Sequence, residues 1–479
     1  MRIDRLALLS GAILLTWLLL YVVNCVAGLL EGASTAFLPV SMGLMLIHEL
    51  RAKRPAFDLS IVFLISCLFF FCIGLILWPL SSFAPTEFDS LVNVTFTLEE
   101  FDLAAFLIGL SVAITMFAMA ICRRAPSLRA VSIFALSPDK RASDLYRFGF
   151  TLMAISLPAV LIESWQQFRY IQDVGYLALY IDGLPASPWA TYFFYLFYFG
   201  FGLSFTFARS RSAFLWPALF YLTAATLDSL KGARGAVLVP MLFIVWYYCS
   251  RFDVTVRLGA MARNLALLVG VFVFLTYQRD PTLFSSGIGQ FLVDALSTQG
   301  RSLQLTVLYQ QNAEEIARYG DNMVLSNLLI PFIAVLHPEV REAAQSMDQV
   351  VYSNNLKHIL TYVLNPDYYF AGGGTGGVYS IELIEAGPVA YILLSIGLGW
   401  FLAWLPGAMR RPWVRFMSIY LFATVFYLPR GEFFFNTLIV GKALFLYWVV
   451  IGAHRLYRGR PPRLSISAPP PAGNWVARP

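Results

Sequence analysis

Three short stretches of this chain carry residues suited to holding a bulky anion. In Asp228-Ser229-Leu230-Lys231-Gly232-Ala233-Arg234-Gly235, two cations three residues apart occupy a polar turn between long apolar runs. Pro429-Arg430-Gly431-Glu432 is a second tight turn of the same kind, and Arg301 lies in Thr298-Gln299-Gly300-Arg301-Ser302. Arg279, beside Asp280, follows another apolar run. Arginine grips phosphate oxygens through a planar fork and lysine acts as a point charge. Lys231, Arg234 and Arg430 each adjoin a glycine, which lets backbone N–H groups approach an anion. The competing reading is snorkelling, or pairing with Asp228, Asp280 or Glu432. Several cations converging at one depth favour an anionic lipid headgroup.

Carboxylates offer the complementary chemistry. Gly377-Val378-Tyr379-Ser380-Ile381-Glu382-Leu383-Ile384-Glu385-Ala386-Gly387 sets Glu382 and Glu385 one helical turn apart. An acid in the first turn of a helix gains from its dipole, which is a sufficient structural reason for either. Partial burial would instead raise a glutamate pKa into the range of a general base. Glu382 is the first candidate, with Glu432 and Glu385 after it. His337 and His358 rank below these carboxylates. The five cysteines show no metal-ligand spacing. With no nucleotide-binding glycine loop and no Ser/His/Asp arrangement, an activated, lipid-linked substrate would have to supply the energy of any reaction. Neither a metal nor another cofactor is expected.

The elements that must position these groups are apolar. Of 479 residues, 58% are hydrophobic and 13% charged, against about 25% charged in soluble domains. This excludes a soluble globular protein and a nucleic-acid binder. Runs of about 20 residues, long enough to span a bilayer, occur near 6–30, 33–50, 59–82, 103–122, 147–168, 189–208, 213–230, 235–250, 262–278, 388–406, 414–429 and 433–453. The first is too long for a signal peptide. The expected fold is therefore all-α: a polytopic integral membrane protein of about 12 transmembrane helices.

Charge sets the orientation. Alternate segments, with both termini, hold 24 of the 34 lysines and arginines but only six of the 28 acids. The positive-inside rule then puts both termini in the cytoplasm. The stretch 83–102 reads as an acidic, solvated outer loop. The 163–188 edge, with Trp165, Tyr170 and Trp189, reads as an aromatic anchor or a sugar-stacking surface. The organisation is 1–278 for the first nine spans, 279–387 for a large, partly helical outer loop, 388–455 for three more spans and 456–479 for a disordered, proline-rich tail. Within the loop, 291–318 and the stretch after Pro338 show helical periodicity, with Val340, Ala343, Ala344, Met347 and Val351 on one side. Residues 322–336 are apolar but too short to span, so they lie in the interface or re-enter. The glycines of 372–377 suggest a hinge or lid.

Taken in order, the Lys231–Arg234 turn, Gln299-Gly300-Arg301-Ser302, the Gly-rich segment running into Ile381-Glu382, and Pro429-Arg430-Gly431 resemble the Wzy-type O-antigen (oligosaccharide repeat-unit) polymerases. The resemblance spans nearly the whole chain. It implies a bacterial inner-membrane, metal-independent, lipid-dependent glycosyltransferase bundle like that of O-antigen ligases. Such an enzyme moves a growing glycan from undecaprenyl pyrophosphate onto a lipid-linked repeat unit at the periplasmic face. Donor and acceptor would both be undecaprenyl-pyrophosphate-linked oligosaccharides in membrane lipid, and a chain-length regulator protein is an optional partner. On this reading Lys231, Arg234, Arg430, Arg301 and Arg279 would hold the pyrophosphate, and the anomeric centre would invert. Related ligases carry a His before a Tyr-rich Glu-x-Gly helix start. Matching Glu385-Ala386-Gly387 to it puts Gly376 at the His position, which counts against a ligase and leaves the base open. The rival readings are a ligase-like transferase, a flippase for lipid-linked oligosaccharide, and a scaffold of an export complex.

Overall fold

The computed structural model describes residues 5–27, 32–51, 58–82, 87–88, 94–123, 140–175, 181, 187–231, 235–252, 270, 287–341, 345–409, 411–434 and 437–458. The long helices in chain order are α1 (Arg5–Ala27), α2 (Ala33–Arg51), α3 (Leu59–Leu80), α4 (Leu98–Cys122), α5 (Lys140–Val174), α6 (Pro188–Phe207), α7 (Arg211–Ser229) and α8 (Gly235–Phe252). Shorter ones follow: α9 (Ile288–Ser297), α10 (Ser302–Gln311), α11 (Ala313–Ile316), α12 (Met323–Leu336), α13 (Met347–Tyr352), α14 (Leu356–Leu364), α15 (Pro366–Phe370) and α16 (Tyr379–Glu385). Three long helices close the chain: α17 (Gly387–Ala408), α18 (Pro412–Tyr427) and α19 (Thr437–Arg458). The described strands are one two-residue antiparallel pair, Glu87–Phe88 with Val94–Thr95.

Eight of the described helices are long and apolar enough to cross a membrane: α1 to α6, α17 and α19. The spans expected at 213–230, 235–250 and 414–429 are also helices, α7, α8 and α18, but fall short of that standard in length or apolarity. The expected span at 262–278 and the tail after 460 lie outside the described residues.

Helix α4 is the axis of the bundle. It packs against α1, α2 and α17, and Ala104, Ala105, Ala113, Ala118 and Ala120 on it are buried. Small side chains let helix backbones approach where lipid gives no hydrophobic drive for association. Both ends are tied by polar side chains. At its start, Thr97 and Glu100 form a reciprocal cap. One turn on, the Asp102 carboxylate accepts from the N–H groups of Gly32 and Thr35, at 2.5 and 2.8 Å, and from the Thr35 hydroxyl. Helix α4 therefore begins inside 83–102, the stretch read as a solvated loop. Asp102 is buried because the first backbone N–H groups of α2 need an acceptor. At its other end, Arg123 donates to the buried Glu49 at 2.7 Å and pairs with Asp58 at 3.4 Å.

The 287–385 segment folds onto one end of the bundle, where α3 ends and α4 and α17 begin. Asp294 of α9 accepts from Ser81 and Ser82 just past α3, and Gln311 of α10 donates to Glu100 at 2.8 Å. The helical periodicity of 291–318 becomes α9, a 3-10 turn (Thr298–Arg301), α10 and α11. The stretch after Pro338, of which Ala343 and Ala344 lie outside the described residues, is not one helix on one apolar face. Ser346 accepts from the Gln349 N–H and starts α13 in a new phase. Val350 is buried there, while Met347 and Val351 are exposed.

Candidate functional site

Helix α16 is only seven residues long, so its position depends on its neighbours. Its first residue, Tyr379, is fully buried, sharing a hydroxyl hydrogen bond with Ser111 of α4 at 3.1 Å. The Tyr379 ring lies 6.2 Å from Phe71, which sits in a π turn of α3 (Leu68–Cys72). Such turns re-aim side chains within an otherwise regular helix. Ser380 meets Thr306 of α10. Gly387 then adopts φ +85°, letting the chain leave α16 and start α17 in a new direction.

This lodging carries Glu382 into the interior, 0% exposed. Asn327 of α12 donates to its Oε1 at 2.5 Å, and the Phe433 N–H donates to Oε2 at 2.5 Å. The neighbouring Glu432 is buried too. Asn355 donates to Glu432 Oε2 at 3.0 Å, and Oε1 has no hydrogen-bond partner among the described residues. A Cβ on Gly377 would stand 3.1 Å from the Glu432 Cγ, so the end of the Gly-rich segment 372–377 passes against this carboxylate. That segment is held in place: Gln345 donates to the Gly373 carbonyl and the Thr375 N–H donates to Thr361.

Burial pushes the Glu382 carboxyl well above the usual carboxylate range, and the Glu432 charge pushes it further. Hydrogen bonds from Phe433 and Asn327 pull the other way. Burial also raises Glu432, against the opposing influence of Lys357 and Asn355. Two carboxyls in one buried place cannot both ionise cheaply, so one of the pair stays protonated.

Glu385 has a different surrounding. Its carboxylate accepts from the N–H groups of Asn322 and Met323, the latter at 3.0 Å, and so caps α12. Both oxygens are committed to helix N–H groups, which leaves it a positioning group.

The arginines divide in the same way. Gly300 sits against Gly74 of α3 so closely that a Cβ would lie 2.4 Å from the Gly74 nitrogen. That contact lays the Thr298–Arg301 turn on the bundle. Arg430, in the turn after α18, donates to the Gln299 carbonyl at 3.4 Å. Burial lowers the Arg430 pKa, Tyr427 opposes this and the charge of Arg301 adds to it. The fold therefore brings together two like charges, Arg301 and Arg430. Lys231 has other partners: an ion pair with Asp228 and a 2.7 Å hydrogen bond to Gln167 of α5. Pairing, the structural reading, describes Lys231. Arg234 and Arg279 lie outside the described residues.

The histidines are engaged elsewhere. His358 is half-buried, and its desolvation takes its pKa down to about 3 with Lys357 adding to the effect. Its Nδ1 meets the Tyr369 hydroxyl, which donates to the Ser346 carbonyl. His337 stacks on Tyr352 and meets Glu339. Reasoning from sequence passed over Asn327 and Asn355, the amides that hold the two carboxylates. Asn327 had a signal: an amide inside an otherwise apolar run. Asn355 had none.

A bundle of apolar helices with a buried carboxylate pair and an arginine pair at one end defines a polytopic membrane protein with a charged site at its rim. The chain belongs to the O-antigen polysaccharide polymerase Wzy family, whose model matches residues 9–459. The family is of glycosyltransferase-type polymerases acting on lipid-linked oligosaccharide repeat units in the membrane, and it makes this a multi-pass bacterial membrane protein. No curated protein and no solved structure matches the chain.

Proposed function

We propose that the protein polymerises O-antigen or exopolysaccharide at the periplasmic face of the inner membrane. It would take the growing glycan from undecaprenyl pyrophosphate and join it to a new lipid-linked repeat unit, inverting the anomeric centre without a metal. The observation that carries this reading is the buried Glu382–Glu432 pair at the same end of the bundle as Arg301 and Arg430.

In the proposed step, an acceptor hydroxyl attacks the anomeric carbon of the donor glycan. The new C–O bond forms as the bond to the pyrophosphate oxygen breaks, and the pyrophosphate departs with that electron pair. The hydroxyl proton passes to Oε1 of Glu432, the carboxylate oxygen without a partner among the described residues. Glu382 keeps its proton beside that base, which spares the site a second buried negative charge. Arg430 and Arg301 neutralise the leaving group, with Lys231, Arg234 and Arg279 as further candidates from the sequence. Two like charges held close together favour an anion beside them, which suits a site meant for pyrophosphate.

The test is glycan polymerisation in membranes from cells producing Glu432→Gln or Arg430→Ala. Loss of one such electrostatic donor typically costs ~10²–10³ in rate. Both variants are expected to give single repeat units in place of long chains at wild-type protein levels. Wild-type chain lengths from both would overturn the assignment.

A further inference from the structure

Helix α12 has two unlike faces. Inward, Met323, Asn327 and Ala334 are buried, and Asn327 holds the Glu382 carboxylate. Outward, Leu325, Leu328, Leu329, Phe332, Val335 and Leu336 form one continuous stripe at helical spacing. Phe332, Val335 and Leu336 are 69, 67 and 76% exposed. None of the 14 residues of α12 is ionisable. A contiguous apolar stripe of this kind is rarely left to water.

Three further observations say what covers it. First, α12 packs against α19, a helix long and apolar enough to span, whose own exposed residues include Ile439, Phe445 and Val449. The stripe thus continues a lipid-facing surface. Second, 14 residues rise about 21 Å, short of the ~30 Å of a hydrocarbon core, so the helix can enter a leaflet and not cross it. Third, the start of α12 is satisfied from within the protein. Glu385 accepts from the N–H groups of Asn322 and Met323, and Asn354 donates to the Asp321 carbonyl and to Ser326. In water such groups need no protein partner; in hydrocarbon each unsatisfied one is costly.

We propose that α12 lies within the bilayer, its outer stripe against lipid acyl chains, as the wall between the membrane and the Glu382–Glu432 pair. That wall is one helix thick. A substrate whose tail stays in lipid would pass this helix to reach the carboxylates, whereas the immersion of α12 stands apart from the catalytic reading.

The test uses the full-length chain in lipid nanodiscs with its native cysteines replaced by serine. Spin labels are placed at Leu325→Cys, Phe332→Cys and Val335→Cys, with Lys357→Cys as an exposed reference. At the three α12 sites, collisions with oxygen should exceed those with a water-soluble nickel chelate several-fold, with the reverse at Lys357. Nickel collisions dominating at Phe332 and Val335 would overturn the proposal. So would low collision rates with both reagents there, which would mean that protein covers the stripe. Should the cysteine-free chain fail to fold, Phe332→Trp in the otherwise native chain replaces it. Brominated lipid should then quench the fluorescence added by that tryptophan, and an unquenched increment also overturns the proposal.

Discussion

Glu382 and Glu432 are one titrating unit, and the chemistry asked of them depends on which gives up its proton first. Glu432 has an opposing cation in Lys357, whereas Glu382 is raised by burial and by Glu432 itself. Glu432 is therefore the member to ionise, and Glu382 keeps its proton to a higher pH. A base must be deprotonated to act, so turnover should fall as pH drops through the raised Glu432 pKa, above the ordinary carboxylate range. Glu382→Gln mimics the protonated Glu382 and leaves the burial and the Lys357 charge that set Glu432 in place. Polymerisation should persist, with its acidic limb unmoved. A displaced acidic limb would show that Glu382 is charged while Glu432 titrates. Stability runs the opposite way with pH. A carboxyl whose folded pKa is raised binds its proton more tightly folded than unfolded, so it favours the folded state at low pH. That contribution is lost as pH rises from the unfolded pKa through the folded one. The Tm of the detergent-purified protein should decline across that window in the wild type and stay flatter in Glu382→Gln.

At the scale of elements, the site depends on one close contact. The Thr298–Arg301 turn reaches the bundle only because Gly300 and Gly74 bring two backbones together. A side chain at Gly300 would move the turn, and Arg301 with it, away from Arg430. Gly300→Val is expected to cost about 1–3 kcal/mol of stability, as overpacked sites do. It should lower polymerisation far more than the thermal shift alone accounts for, as measured by chain length against Tm in one preparation. The contrast between these helices also shows what a sequence reveals. Long apolar runs announced α1 to α6, α17 and α19 because hydrophobic length is a local property. The arginine of the 298–301 turn, the glutamate before α17 and the Pro429–Arg430 turn were legible as chemistry from their residue types. Their grouping was not. Only the packed fold showed that Glu385 is spent on capping α12, that Gln167 joins Asp228 in holding Lys231, and that Asp102 is buried against α2. Each of these depends on a partner 60 or more residues away or on the end of another helix, information that no window of periodicity contains.

For the whole molecule, the two ends of the bundle differ in charge and therefore in the side of the membrane they face. Arg51, Arg123, Arg209, Arg211, Arg251, Arg411 and Arg455 lie at the ends of helices or just beyond them, on segments that alternate with the acidic ones. Glu99, Glu100 and Asp102 lie at the end of the bundle where the 287–385 segment, with Glu382 and Glu385, folds. The cost of moving arginine across a bilayer retains basic segments in the cytoplasm. The end holding Glu382 would then be periplasmic, the face on which the proposed function puts polymerisation. Single cysteines at exposed positions distinguish the two ends in cells. Lys357→Cys should react with a membrane-impermeant maleimide applied to cells with a permeabilised outer membrane. Arg211→Cys should react only after the inner membrane is opened. The reverse pattern would put the carboxylate pair in the cytoplasm and remove the topological basis for a periplasmic polymerase, while leaving the fold and the geometry of the pair as they stand.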